Sequence, residues 1–403
     1  MQENIEKRVL IIGGGFGGIQ TAISLVKKNL KNTKITLISD RDNFQYYPGL
    51  YRVVTGASPI EVSISLSEIL PKKVELIIDP VINIDLQNKK VDTKNGKSLT
   101  YDTVVVALGS ETTYFNLPGI AELSFGFKSV EEALTLKKHI VSLFEEHEKV
   151  EKGDLIFQFH VIVVGGGPSG IEVAGDLAYF MRDLAKEYKV DPSLITIDIV
   201  EGGSRLLPTL PEKVSARILS RLRSIGINVF LNRTMEKEEV EQVFIKGMSI
   251  RSKTVIWTAG TQLNSLIPKI VGLQFSPRKK VEVNEYLEAK DMKDVFIIGD
   301  IANTQYTGLA QTAIHNAKYV AEVIANHSSN KNTKIYKPEN VAFSIPVGID
   351  WGVFSAGNIS FYGFFAYVVR HVIDFVFFYQ ILSLPKLFGL FFKGWKYRKL
   401  KVE

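Results

Sequence analysis

An α/β fold of two doubly wound βαβ domains, followed by a C-terminal region of different character, is what three features of the sequence predict. The stretch VLIIGGGFGG at Val9–Gly18 returns almost unchanged as VIVVGGGPSG at Val161–Gly170. In both copies a helical pattern and a second apolar strand follow, so each opens a βαβ unit. After residue 345 the composition shifts, and seven of the 24 phenylalanines fall within Phe354–Phe378. With 403 residues the chain exceeds one hydrophobic core, and its 45% hydrophobic and 23% charged residues are those of a folded protein.

Taken in order, Val9–Ile12 is an apolar β-branched strand, a helix runs from Ile19 to about Lys28, and Ile35–Ser39 is the next strand. Residues 73–110 read as short strands and turns that end in the buried-type strand TVVVALGS, Thr103–Ser110. A helix over Val130–Glu148 precedes the charged break EKVEKGD. The second unit starts at His160–Val164, has a helix drawn out by AYFMRDLAKEYKVDPS, and closes with ITIDIVE, Ile195–Glu201. TVIWTAG (Thr254–Gly260) and VFIIGDIA (Val295–Ala302) are two more apolar strands that run into glycine turns.

The repeated stretch carries the chemistry. Gly13, Gly15 and Gly18 stand as G-x-G-x-x-G between strand and helix. The first glycine permits the tight turn, the second admits a pyrophosphate against the backbone, and the third lets helix and strand pack closely. Free N–H groups and the positive end of the helix then meet the phosphates. Asp40 follows Gly18 by 22 residues, at the end of the next strand, where a carboxylate accepts from ribose hydroxyls. The second copy has Gly165, Gly167 and Gly170, with Glu201 as its acid. Glutamate there favours the free 2′-hydroxyl of NADH over the 2′-phosphate of NADPH, with Arg205 close enough in sequence to soften that preference. Two Rossmann-like fingerprints predict two dinucleotides, one a resident flavin and the other a visiting nicotinamide.

There is no cysteine, so disulfides, thiolate metal sites and a redox-active dithiol are excluded. The six histidines have no ligand-like spacing, and no metal is expected. The net charge of +6 is modest and by itself fits nucleic acid, an anionic membrane face or neither, so its location matters more than its size; no nucleic-acid partner is expected. MQENIEKRV runs straight into a strand without an apolar signal region, so export is not expected.

VFIIGDIA, ahead of an alanine-rich helix, resembles the second FAD motif of the two-dinucleotide-domain flavoproteins, whose aspartate is here Asp300. TVVVALGS resembles the strand after the flavin loop, and TVIWTAG the crossing back from the nicotinamide domain. The resemblance implies that the first copy holds non-covalent FAD and that the second, NADH-binding copy is inserted into it. It divides the chain into 1–110 and 261–345 for FAD, 111–260 for NADH, and 346–403 for the C-terminal region. In the disulfide-reductase branch a cysteine pair lies over the flavin, carried by the segment that here reads NFQYYPGLYRVVTGA, Asn43–Ala57, without sulfur. Electrons then leave the flavin for an acceptor directly, and the same absence argues against sulfide:quinone reductases.

What remains is similar, over essentially the whole chain, to type II NADH:quinone oxidoreductases, which do not pump protons. FQYYPGLYRVVTG resembles their flavin-side loop, and GGGPSGIEVAGDLA their G-G-G-x-[ST]-G-x-E-x-A-G-E-L-A stretch. The resemblance implies flavin contacts at Phe16, Gly17, Arg41, Pro48, Val81, Ala107, Gly109, Gly299 and Ala310. It implies nicotinamide contacts at Pro168, Ser169, Ala259 and Gly260. Glu172 matches the glutamate near the nicotinamide–flavin contact. Gln311 belongs to the alanine–glutamine pair on the helix aimed at the isoalloxazine ring. Where the family often has a further glutamine the chain has His315, a candidate proton donor to the reduced quinone, and a structural histidine is the alternative.

The uncharged stretch Trp351–Val369 and the run after it, broken by Arg370, His371, Asp374, Pro385 and Lys386, read as strands feeding amphipathic, membrane-binding helices. Lys393, Lys396, Arg398, Lys399 and Lys401 add attraction to an anionic lipid surface, about 1 kcal/mol each. The expectation is a homodimeric prokaryotic enzyme, peripheral on the cytoplasmic face of the cell membrane. The alternatives are a soluble FAD-dependent NAD(P)H reductase of a small redox protein, and a redox-responsive flavoprotein with slow turnover.

Overall fold

The computed structural model describes residues 6–390, which leaves the basic cluster Lys393–Lys401 outside the described residues. β1 (Lys7–Ile12) leads through the glycine turn into α1 (Phe16–Lys27) and on to β2 (Thr33–Ser39). The flavin-side loop folds into a short helix α2 (Leu50–Val54), β3 (Val74–Ile78) follows, and an antiparallel meander over 81–100 precedes β4 (Thr103–Val106). The chain then leaves this sheet. It lays down β5 (Phe125–Gly126), α3 (Val130–Glu145), β6 (His160–Val164), α4 (Pro168–Tyr188), β7 (Thr196–Val200), α5 (Glu212–Ser224), β8 (Ile227–Phe230) and β9 (Thr254–Trp257). It returns with β10 (Val295–Ile297) and α6 (Ala310–Ser328).

Both large sheets have five parallel strands, ordered β10-β4-β1-β2-β3 and β5-β9-β6-β7-β8. A parallel sheet is covered on both faces, which is why these strands read as unbroken apolar runs rather than alternating ones. Val161, Ile162 and Val163 are each fully buried. α1 and α6 pack together against the first sheet, and α4 runs along the second.

The C-terminal region begins at β11 (Ala342–Pro346), which pairs antiparallel with β12 (Gly352–Ala356), itself paired with β13 (Ile359–Gly363). The uncharged stretch thus becomes two strands and the start of α7 (Phe364–Ile381), entered through Gly363 at φ +91°. The small sheet sits on the second domain. A Cβ at Gly175 of α4 would lie 2.6 Å from the Gly348 nitrogen, and Arg221 of α5 donates to Tyr179 Oη at 2.9 Å beneath Trp351.

α7 has the length and composition of a membrane-crossing helix, yet it is two-faced. Phe364, Phe365, Val368, Val372, Val376 and Tyr379 are exposed, whereas Arg370, Asp374 and Phe378 are buried. A helix that buries an arginine and an aspartate in its own protein lies against that protein.

Candidate functional site: two glycine turns and a buried ion network

The two turns superpose in character residue by residue. Gly13 has φ +112° and Gly165 φ +113°, a region that L side chains rarely enter. No atom lies within 4 Å of where a Cβ would stand on Gly15 or Gly167, so the backbone is open to a ligand there. A Cβ on Gly18 or Gly170 would collide with the carbonyl oxygen of Gly13 or Gly165 respectively. The first N–H groups of α1 and α4 are therefore bared toward an open space that suits a pyrophosphate. Ahead of α4, Pro168 presets the first helical turn and stands exposed with Ser169, while Phe16 and Gly17 are buried.

The acids after the second strands are placed differently. Asp40 is exposed, 3.6 Å from Arg41 Nη2. Glu201 turns back on its own turn and accepts from the N–H groups of Gly166 and Gly203, each at 2.6 Å. Arg205 is committed elsewhere, donating to the Leu210 carbonyl and to Ser215 Oγ, both at 2.8 Å. Its guanidinium is thus spent on the loop before α5. Beyond β9, Ala259 and Gly260 (φ +78°) turn the chain under the Phe115 ring.

At the mouth of the first sheet Ala107 backs Gly13, and Gly109 and Gly299 adopt φ of +68° and +72°. Ser110 Oγ donates to Asp300 Oδ2 at 2.6 Å, and Lys128 Nζ donates to Ser110 Oγ at 2.8 Å. Lys280 Nζ donates to the Asp300 carbonyl at 2.7 Å. Burial holds the Lys128 ammonium below the usual lysine range, against the pull of Asp300. Neither lysine stands out in the sequence, since no spacing links it to the GD motif. Val81 opens the 81–100 meander and packs on the adjoining hydrophobic cluster.

α6 begins at Ala310 with its N-terminus bare of side-chain caps. Gln311 is exposed, and its amide pairs with Ala342, donating to the carbonyl at 2.7 Å and accepting from the N–H at 3.2 Å. The His315 ring is braced by Lys337 O at 2.9 Å on Nε2 and by Glu339 Oε1 at 3.2 Å on Nδ1. Both ring nitrogens thus hold the 337–339 segment against α6, which is the structural alternative for this histidine. Glu288, Asp294 and His327 bring three ligand-type atoms within 4.8 Å of one another, a grouping no sequence spacing reveals. Glu288 already accepts from the Asp294 N–H and from Asn284 Nδ2, each at 3.0 Å, so the geometry is that of a braced turn.

Glu172 lies in a network that sequence reading missed. It is 6% exposed on α4, with Arg370 Nη1 of α7 at 3.2 Å. The same guanidinium donates to the carbonyls of Ser344 (2.8 Å) and Pro48, and through Nε to Asp374 Oδ1 at 3.1 Å. Asp374 also accepts from Tyr46 Oη at 2.5 Å and pairs with Arg52 Nη2 at 2.9 Å. Burial pushes the Glu172 carboxyl upward while Arg370 pulls it back, and burial likewise raises the Tyr46 and Tyr51 hydroxyls. The flavin-side loop, the long helix of the second domain and α7 are thereby pinned at one point. Above it Phe16 packs with Phe44 (5.0 Å between ring centres) and Phe377 (5.1 Å).

Comparison with known proteins agrees with this geometry. The chain is 29% identical over 368 residues to the type II NADH:quinone oxidoreductase of Haemophilus influenzae, covering 82% of this chain and 83% of that one. It is 28% identical over 413 residues to the type II NADH:quinone oxidoreductase NdhA of Mycobacterium tuberculosis, covering 96% and 87%. The structure of NDH2 from Plasmodium falciparum in complex with NADH shares the fold, with a TM-score of 0.84 at 21% identity over 97% of this chain and 98% of that one. Residues 7–317 match the model of the pyridine nucleotide-disulphide oxidoreductases, and the chain belongs to that family.

Proposed function

We propose that the protein is a non-proton-pumping NADH:quinone oxidoreductase that holds FAD non-covalently between donor and acceptor. The observation that carries this reading is a family fold whose flavin-side segment, Asn43–Ala57, has no cysteine, in a chain whose extensive relatives are type II NADH:quinone oxidoreductases. FAD, when bound, supplies a two-electron carrier between a hydride donor and a quinone. Gly13, Gly15, Gly18, Asp40, Gly109 and Asp300 would hold it, and the open backbone over Gly15 and Gly109 suits its pyrophosphate side.

In this reading residues 1–110 and 261–345 form the FAD-binding part, 111–260 the NADH-binding part, and 346–403 the membrane-facing part. Gly165, Gly167 and Gly170 take the NADH pyrophosphate, and Glu201 selects the free ribose hydroxyl. The residues' main task in hydride transfer is positioning, since the reacting atoms must approach to about 3–3.5 Å. α7 lays its exposed phenylalanines and valines on the bilayer that holds the quinone, which supports a peripheral membrane protein over a soluble reductase. A homodimer on the cytoplasmic face of the membrane completes the proposal. The decisive experiment mixes the yellow protein anaerobically with NADH and then with a short-chain quinone, following flavin absorbance. Bleaching by NADH and recolouring by quinone are expected. Bleaching that quinone leaves unreversed would sink the reading.

A further inference from the structure

The Asp300 carboxylate is held by a chain of donors that starts on a distant part of the sequence. Lys128 Nζ donates to Ser110 Oγ at 2.8 Å, and Ser110 Oγ donates to Asp300 Oδ2 at 2.6 Å. An ammonium only donates and a carboxylate only accepts, so the hydroxyl between them has a single orientation. Asp300 Oδ2 is thereby occupied, and Oδ1 is the oxygen that Ser110 leaves over. The main chain of the same turn is held as well. Lys280 Nζ donates to the Asp300 carbonyl at 2.7 Å, the Gly299 N–H donates to Asn316 Oδ1 of α6 at 3.1 Å, and Thr307 Oγ1 donates to the Gly299 carbonyl at 3.0 Å.

The start of α3 places Lys128. Ser129 is the N-cap, and its Oγ accepts from the Glu132 N–H at 3.0 Å, while the Lys128 N–H donates back to Glu132 Oε2. This reciprocal pair is a capping box and fixes the Lys128 backbone. The buried Gln45 ties the same helix start to the flavin-side loop, accepting from the Val130 N–H and donating to Glu131 Oε2, each at 3.2 Å. Ser110 opens the strand Ser110–Thr112, which pairs antiparallel with Thr261–Leu263 where the chain crosses between the two domains. Facing the Lys128 ammonium are Asp300, Glu111 and Glu132, with Lys280 as the opposing cation.

We infer that Lys128 is a positioning residue for FAD, acting through Ser110 to present the Asp300 carboxylate to a hydroxyl of the cofactor. This inference rests on the FAD-binding reading above. An acceptor-only oxygen recognises a hydroxyl and repels a phosphate, so Oδ1 suits the hydroxyl-bearing chain of the flavin while the open glycine turn suits its pyrophosphate. Lys128 falls within the part assigned to NADH, so that part completes the FAD site.

The test is dilution of the FAD-loaded protein, with released FAD read by its fluorescence and neither NADH nor quinone present. Lys128→Met should weaken FAD binding at least about tenfold, and Lys128→Arg should recover most of the affinity. In an Asp300→Asn background the methionine substitution should add less than about twofold, because the lysine acts through that carboxylate. Should Asp300→Asn retain no flavin, the same cycle is run on Ser110→Ala with the same expectation. Equal factors in wild-type and variant backgrounds would overturn the inference, as would wild-type affinity in Lys128→Met. Should the methionine variant not fold, Ser110→Ala alone must weaken FAD binding at least about tenfold, and unchanged retention there overturns the proposal. Wild-type protein that holds no FAD would sink the functional reading and the inference together, whereas a Lys128→Met protein that matches wild type sinks the inference alone.

Discussion

The two glycine turns share their backbone but not their surroundings. The first opens into Phe16, which is buried among Phe44, Tyr46 and Phe377, so aromatic rings from two other segments roof it. The second opens into Pro168 and Ser169, both exposed. One backbone device is therefore roofed by aromatic rings in one copy and left open in the other. The difference lies in what later parts of the chain lay over each turn, not in the turns.

The largest expected effects come from the third glycines. Gly18→Ala and Gly170→Ala each drive a methyl into a backbone carbonyl, a strain of roughly 3 kcal/mol or more. Gly18→Ala should give protein without visible flavin absorbance, whereas Gly170→Ala should stay yellow and bleach slowly with NADH. Loss of flavin from both would break the comparison. Next comes the anchor of the roof: Asp374→Ala strands Arg52 beside the flavin-side loop and should cost about 3–5 kcal/mol in urea denaturation. Phe16→Ala should lose about 3 kcal/mol and release flavin faster on dilution, against less than about 0.5 kcal/mol for Pro168→Ala.

Smaller effects sharpen the roles. Glu201→Ser should reduce the preference for NADH over NADPH about tenfold in initial bleaching rates, equal to about 1.4 kcal/mol. Since Arg205 is held by the loop before α5, Arg205→Ala should leave that ratio near the wild-type value while lowering the melting temperature. The gentlest effect is a pH slope. Asp176 keeps its proton to higher pH folded than unfolded, so the native state binds more protons between about pH 4 and about pH 7. That contribution to stability is full at low pH and fades as pH rises through the folded value. Melting temperatures across this range should show a decline that Asp176→Asn lacks.

The turns were legible because their chemistry is local: three glycines, a strand and a terminal acid lie within about one βαβ unit. The GD motif was legible for the same reason. The ion network was not, because its five members come from positions 52, 172, 176, 370 and 374 and meet only through tertiary packing. One signal was available. Arg370 and Asp374 stand four apart in a phenylalanine-rich run, on one helical face, where by sequence alone they only interrupt an apolar stretch. An opposite-charge pair at that spacing, facing away from the apolar stripe, marks the side that meets protein. The pattern predicts one helix over Val130–Glu148, yet α3 stops at Glu145 and a 3₁₀ turn over His147–Lys149 follows.

α7 carries a consequence for anyone wishing to handle this protein in water. Its inner face supplies Arg370, Asp374, Phe377 and Phe378 to the interior, so cutting the chain after residue 363 would unroof the first turn rather than trim an appendage. A less apolar surface is better sought by repainting. Exchanging the outward Phe364, Phe365, Val372, Val376 and Tyr379 for polar residues would leave every inward contact in place, and the redesigned surface would separate solubility from architecture.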